Sequence, residues 1–322
     1  MPWFDLSEAE LQDYRTSTAE PDDLDGFWAA RLAEAADAAR PPTLTPHAED
    51  AYGAVRVYDV EFSGARGDRI RGWFLQPPGA RDVPVVVTFI GYGGGRGIPV
   101  EHLALPAIGI ATLVMDTRGQ GGGWTVGATG DPGREYDGPE HPGVMTRGIL
   151  RPESYYYTRL MTDAARAVQV AAELDGVDPS RLGVQGTSQG GGLALAAAAL
   201  QPDLVSVCHA DVPFLCDIQR AIGLTGEFPY REVADFLSQQ VDLADQALDT
   251  LRYVDCALLA RRIRATTMMS VGLMDEICPP STVFAAYHEI DAPKDLVVHR
   301  FGSHSVPSAH HERRLRHLRA TL

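Results

Sequence analysis

One lysine, Lys294, stands in a chain of 322 residues, and 28 basic side chains face 43 acidic ones. The formal charge of −15, with the arginines scattered, excludes the clustered basic surface that a phosphate backbone requires. Cysteine is also scarce. Cys208, Cys216, Cys256 and Cys278 share no C-x-x-C spacing, so neither a disulfide framework nor a zinc-type cysteine site is expected. Long hydrophobic runs are missing: the best stretch, Leu193 to Leu200, is far too short to cross a bilayer. The first residues, Met1 to Glu8, have no basic segment followed by an apolar one, as a secretory leader would. These absences point to a cytoplasmic, free-thiol protein with neither a nucleic-acid nor a membrane partner.

What is present is an ordinary globular composition, 45% hydrophobic and 22% charged, in a length that allows one large domain or two. Residues 1–45 read as a helical N-terminal extension: a short helix begins at Ser7-Glu8-Ala9-Glu10, and a longer one runs from about Asp22 to Arg40 before Pro41-Pro42 stops it. From Val55 the period changes to that of strands. Arg56–Phe62 alternates, Ile70–Gln76 follows across a turn, and Val83–Ile90 and Ile110–Met115 are continuous apolar runs, as strands buried on both faces are. A helical stretch lies near Pro99–Ile108. Further strands are expected at Arg181–Gln185, Leu204–Ala210, Ala265–Val271 and Leu296–Phe301. Helices are expected at Tyr155–Leu174, after Gly190, through Tyr230–Arg264 as a cap, at Ser281–Ile290 and from about Pro307 to Arg319. Buried strands alternating with helices imply an α/β fold with a mainly parallel central sheet covered on both faces. Residues 119–152, rich in Gly, Pro and Asp, form a long irregular connection of the kind that is functional or sits at an interface.

The strongest chemical signal is Gly186-Thr187-Ser188-Gln189-Gly190, a G-x-S-x-G between an expected strand and an expected helix. That setting defines a nucleophile elbow, whose turn is too tight for side chains at the two glycines. An ordinary Gly-rich turn with a capping serine is the plainer alternative. A serine hydroxyl needs a base, and the base an orienting acid; in elbow-bearing α/β hydrolases they follow in the order Ser, Asp or Glu, His. Asp275 and His304 follow late strands at suitable spacing. Rivals are Glu276, Asp116 and Asp211 for the acid, and His299, His310, His311 and His317 for the base. A metal pair at His310 and His311 is disfavoured because adjacent residues do not share a helix face. No metal or cofactor is expected. Oxyanion donors are expected from the amide of Gln189, just after the serine, and from Tyr92 in the loop Gly91-Tyr92-Gly93-Gly94-Gly95-Arg96-Gly97. That loop lacks the Lys and Ser/Thr of a phosphate-binding loop.

Together with the elbow, the segments Gly91–Gly97, Arg118-Gly119-Gln120-Gly121, Met145–Leu150, Asp211–Cys216 and Cys278–Thr282 make the sequence resemble the acetyl xylan esterase/cephalosporin C deacetylase family. The resemblance runs over almost the whole chain. It implies an α/β-hydrolase fold, Ser188 as nucleophile, His304 as base, Asp275 as its partner, and the Tyr92 and Gln189 amides as oxyanion hole. It implies also a metal-free, intracellular homo-oligomer, a hexamer, with the insertion after Arg118 helping to build contacts and Arg118 tying loops together. The chain departs from the family where Ser305, rather than Glu, follows His304; His311-Glu312 offers that dipeptide further on, though the register after the last strand favours His304.

The expected function is a serine carboxylesterase that deacetylates small carbohydrates such as acetylated xylo-oligosaccharides, and also cephalosporin C. A broader short-chain esterase or a peptidase of the same fold is the alternative, and a non-catalytic scaffold a third. Trp124 and Phe214 are candidates for limiting the acyl chain, or else core aromatics. Because the site residues run from the Tyr92 loop to His304, residues 1–322 are expected to form one domain.

Overall fold

The computed structural model describes residues 4–132 and 139–322. Two helices open the chain, α1 (Glu8–Asp13) and α2 (Leu24–Asp37), the first started by a reciprocal cap between Ser7 and Glu10. Strands β1 (Thr43–Pro46), β2 (Arg56–Ser63) and β3 (Arg69–Gln76) follow, then β4 (Val83–Phe89), a short α3 (Ala104–Ala107) and β5 (Ala111–Met115). After the long connection come α4 (Tyr156–Glu173), β6 (Val177–Thr187), α5 (Gln189–Leu200) and β7 (Val207–Asp211). The last third contains α6 (Ile218–Leu224), α7 (Tyr230–Gln239), α8 (Ala244–Arg252), α9 (Cys256–Leu259), β8 (Thr266–Gly272), α10 (Pro280–Glu289), β9 (Lys294–His299) and α11 (Ser308–Thr321).

The strands join one sheet in the order β1-β2-β3-β5-β4-β6-β7-β8-β9. From β5 onward neighbours are parallel, whereas β1, β2 and β3 are added antiparallel at one edge. This is the expected α/β class, a mainly parallel sheet between helices. The apolar run of β5 is buried at every position because helices cover both faces there. Helix α5 is buried on all sides, and its small residues allow close approach: a Cβ at Gly192 would stand 2.2 Å from the Phe214 carbonyl oxygen. The chain leaves β4 to one side for β5 and returns to the other side for β6, so the crevice at their carboxyl ends is a topological switch point. Open α/β sheets bind ligands at such a crevice.

Four expectations need correcting. β1 was not expected; all four of its residues are exposed, so it carries no burial alternation. β6 begins at Val177, not Arg181, because Val177 pairs with Val83 before Leu182 pairs with Val85, and Asp178-Pro179-Ser180 is taken up as an irregularity within the strand. The cap-like helices begin at Ile218, not Tyr230. α6 is only seven residues long, and its start is set by a distant partner, the Asp255 carboxylate, which accepts from the Asp217 and Ile218 amides. β9 stops at His299, leaving Phe301 80% exposed. The described parts of the 119–152 connection contain no helix or strand; residues 133–138 of it lie outside the described residues.

Candidate active site

The strand–turn–helix at Ser188 has the steric character expected of it. A Cβ on Gly186 would lie 2.2 Å from the Gly190 carbonyl carbon, and one on Gly190 would lie 2.3 Å from the Phe89 carbonyl oxygen. Ser188 itself takes φ 59° and ψ −122°, a conformation that costs an L-residue about 1–3 kcal/mol and persists only where its surroundings hold it. They do. Its amide donates to the Asp211 carbonyl (2.9 Å), and its own carbonyl accepts from Gly192 and Phe214 (both 3.0 Å).

The elbow places the Ser188 hydroxyl 2.8 Å from Nε2 of His304, whose Nδ1 lies 2.8 Å from Oδ2 of Asp275. The other carboxylate oxygen, Oδ1, accepts from the amides of Ile277 and Cys278 (both 2.9 Å), so the loop after β8 fixes the acid. Asp275 is buried and the His304 side chain is 19% exposed, which leaves the imidazole open to a ligand on one side. Three loops at the carboxyl ends of β6, β8 and β9 therefore bring the three residues together. Such a chain can draw the proton from a hydroxyl as it attacks and keep the imidazole in one tautomer.

The rivals are engaged elsewhere. Asp116 accepts from the amides of Arg96, Thr117 and Ala128. Asp211 is bonded to Ser270, His310 and Arg314, while Glu276 is held by its backbone carbonyl, which accepts from Thr225, and Asp275 rather than the Glu276 carboxylate meets His304. His299 packs edge-on against His310, His317 pairs with His209, and His311 is an exposed residue of α11 beside Glu312, itself paired with Arg316. Ser305 is exposed. Burial pushes the Cys278 thiol well up, with the Asp275 charge adding to this, so Cys278 is no rival nucleophile. Among the described residues no group of three or more His, Cys, Asp or Glu is arranged to hold a metal ion, and no helix is long and apolar enough to cross a membrane.

Above Ser188 and His304 opens a cleft of about 370 Å³ lined also by Gly91, Tyr92, Trp124, Phe228, Pro229 and Ile277. Trp124 is 66% exposed at its rim, its indole N–H donating to the Tyr92 carbonyl (2.9 Å), and a Cβ on Gly94 would meet that ring at 2.6 Å. The glycines of this loop thus let the indole lie against the backbone. Phe214 is not part of the wall. It is fully buried against Tyr157 and Tyr230, a core aromatic beneath the elbow. Neither the Tyr92 nor the Gln189 amide is taken up by an acceptor among the described residues.

The family described as acetyl xylan esterase (AXE1) matches residues 1–321. The chain belongs to the acetyl xylan esterase family. It is similar to an acetyl xylan esterase from Paenibacillus sp. R4 (36% identity, 98% of this chain and 100% of that one, TM-score 0.92). It is likewise similar to acetyl xylan esterase 1 from Thermoanaerobacterium sp. JW/SL YS485 (31% identity, 98% of each chain, TM-score 0.91). Acetyl esterase Axe7A of Xylanibacter ruminicola is 28% identical over 295 residues, which are 89% of this chain, but the chain spans only 64% of that relative's length.

In this family member the Arg118-Gly119-Gln120 segment divides its work. Arg118 is fully buried and bonds Asp163, Asp68 and Asp131, tying its own connection and the turn before β3 to helix α4. Gln120 does something the sequence reading assigned to no residue: it joins the loop after β4 to the elbow. Its Oε1 accepts from the Gly93 amide (2.6 Å), and its Nε2 donates to Tyr156 (2.8 Å) and to Oε1 of Gln189 (3.0 Å). Nε2 of Gln189 donates to the Ile90 carbonyl (3.2 Å), and the Tyr157 hydroxyl donates to Oε1 of Gln189 (3.0 Å). The two expected oxyanion amides are thereby held by one side-chain network. A glutamine in a Gly-rich signature gives no sequence signal for this, because its partners are scattered from residue 93 to residue 189.

Proposed function

We propose that the chain is a serine carboxylic ester hydrolase that removes acetyl groups from small acetylated carbohydrates, acetylated xylo-oligosaccharides among them. The observation that carries this reading is the Ser188–His304–Asp275 hydrogen-bonded chain opening onto the cleft. Ser188 Oγ attacks the acetyl carbonyl carbon while His304 Nε2 takes the hydroxyl proton; Asp275 stabilises the imidazolium through Nδ1. The negative charge that develops on the carbonyl oxygen meets the amides of Tyr92 and Gln189, preorganised by Gln120. His304 then gives its proton to the leaving sugar oxygen, and the C–O bond of the ester breaks, leaving acetyl-Ser188. Water, deprotonated by His304, attacks this acyl-enzyme and releases acetate, restoring the serine.

The apolar walls, Trp124, Phe228, Pro229 and Ile277, favour a small uncharged ester, and the exposed rim leaves the alcohol part unconstrained. Cephalosporin C, an acetyl ester on a different alcohol, falls within that tolerance. We also infer self-association, favoured by the apolar side chains of Ile98, Val100, Trp124, Val126 and Phe228, all at least half exposed. Turnover of acetyl, butyryl and octanoyl p-nitrophenyl esters, acetylated xylo-oligosaccharides and cephalosporin C tests the reading. A fall in kcat/KM with acyl length is expected, and a preference for octanoyl would overturn it.

A further inference from the structure

A buried carboxylate is normally paired with a cation, since removing its charge from water is otherwise costly. Glu232, in the first turn of α7, is 3% exposed, yet the partners of its carboxylate are both neutral. Oε1 accepts from the Tyr92 hydroxyl (2.5 Å) and Oε2 from the Met145 amide (3.0 Å). The turn below is shaped around it: Gly143 has φ +126°, and a Cβ there would lie 2.1 Å from a carboxylate oxygen. The Tyr92 hydroxyl in turn accepts from the Val144 amide (3.2 Å). Burial first, and then the Glu232 contact, raise the Tyr92 phenol far above its usual range, so it stays a neutral donor.

Tyr92 is consequently held at each end. Its carbonyl accepts from Trp124, the amide that follows it is held by Gln120, and its side chain is held by Glu232; its own amide is the group left for the cleft. Glu232 also lies three residues after Pro229, which together with Phe228 lines the cleft. A single helix end thus carries both the cleft wall and the anchor of the loop opposite.

We propose that Glu232 is a positioning residue of the reaction, its carboxylate setting the Tyr92 peptide where the amide meets the oxyanion. This rests on the esterase reading above. An apolar side chain would fill the same space without a buried charge, so packing alone does not account for the acid. An interaction used only in the transition state changes kcat and leaves KM alone, which a merely structural role would not do.

The test compares kcat and KM for p-nitrophenyl acetate, and Ki for a methyl trifluoromethyl ketone that forms a tetrahedral adduct, in wild type, Glu232→Ala, Glu232→Gln, Tyr92→Phe and Tyr92→Phe/Glu232→Gln. For Glu232→Ala, kcat should fall roughly 10–100-fold, the scale of a displaced reacting group, with KM unchanged and Ki rising by the same factor. Glu232→Gln, which keeps one acceptor, should recover part of the loss and carries the test if the alanine variant fails to fold. The double variant should lose less than the sum of the singles, because both break one contact. Unchanged kcat, a rise in KM alone, or a loss matching the unfolded fraction by circular dichroism would overturn the proposal. Ser188→Ala in the same series separates the two ideas: its activity would sink the serine mechanism, whereas its silence beside fully active Glu232 variants would sink only the role of Glu232.

Discussion

Gly190 is a position where one methyl group should damage both stability and catalysis. The Cβ of Gly190→Ala would stand 2.3 Å from the Phe89 carbonyl oxygen and 2.8 Å from its carbon, where ordinary contacts begin at 3.4 Å. Backbone on both sides of the clash must therefore give by about 1 Å, and neither side is free to do so. Phe89 ends a central strand, and Gly190 lies in the first turn of the fully buried α5. Overpacking of that kind costs about 1–3 kcal/mol. The displacement also falls between the elbow and the loop carrying Tyr92, because Ile90 directly follows Phe89; a shift of about 1 Å between reacting groups can cost on the order of 100-fold in rate. Gly223→Ala is the matched control. It is exposed in α6, a Cβ there meets nothing within 4 Å, and removing glycine from a helix should add about 0.5–1 kcal/mol. Urea unfolding and p-nitrophenyl acetate kinetics on both variants read out the difference. A Gly190→Ala protein with wild-type midpoint and wild-type kcat would refute the steric account of the elbow.

Gln120→Ala should orphan the Gly93 amide and weaken the hold on Gln189, costing about 1–3 kcal/mol of stability for the unpaired donor. Its kcat should fall with little change in KM, and Gln120→Ala/Gln189→Ala should be far less than additive; additive effects would dissolve the network. At Asp211, burial raises the carboxyl pKa, but the hydrogen bond from His310 and the charge of Arg314 outweigh it and leave it at about 2, below the ordinary aspartate value of 3.8. A depressed folded-state value means stability that is full above about pH 4 and lost as pH falls through 2, worth about 2 kcal/mol for this shift. Wild type and Asp211→Asn should therefore converge in chemical-denaturation stability as pH falls from 4 to 2, and parallel curves would contradict the assignment.

Much of this site could be read from the chain because its parts are local. Gly186 to Gly190 announces a steric requirement within five residues, and the apolar runs of β4 and β5 announce burial on both faces of the sheet. Asp275 and His304 could be placed because each follows a strand whose position the same patterns give. What escaped has no local signature. β1 is exposed at every residue, α6 is capped by an acid 38 residues further on, and Phe214 looks as suitable for a pocket wall as for the core. Gln120 and Glu232 escaped for a related reason: their partners lie 27 to 140 residues away in sequence, so only the folded chain brings them together. The family signature marked Arg118-Gly119-Gln120 as a unit, but its two polar side chains serve different ends, one bonding α4 and the turn before β3, the other joining the loop after β4 to the elbow.

The account stands on Ser188 forming a covalent acetyl intermediate. Acid-quenching the enzyme during turnover of p-nitrophenyl acetate, digesting it and locating the acetyl group by mass spectrometry tests this directly. The acetyl group should appear on the peptide carrying Ser188 and vanish in Ser188→Ala, which should be folded and inactive. Turnover by Ser188→Ala at the wild-type rate, or an acetyl group found only on another residue, would contradict it.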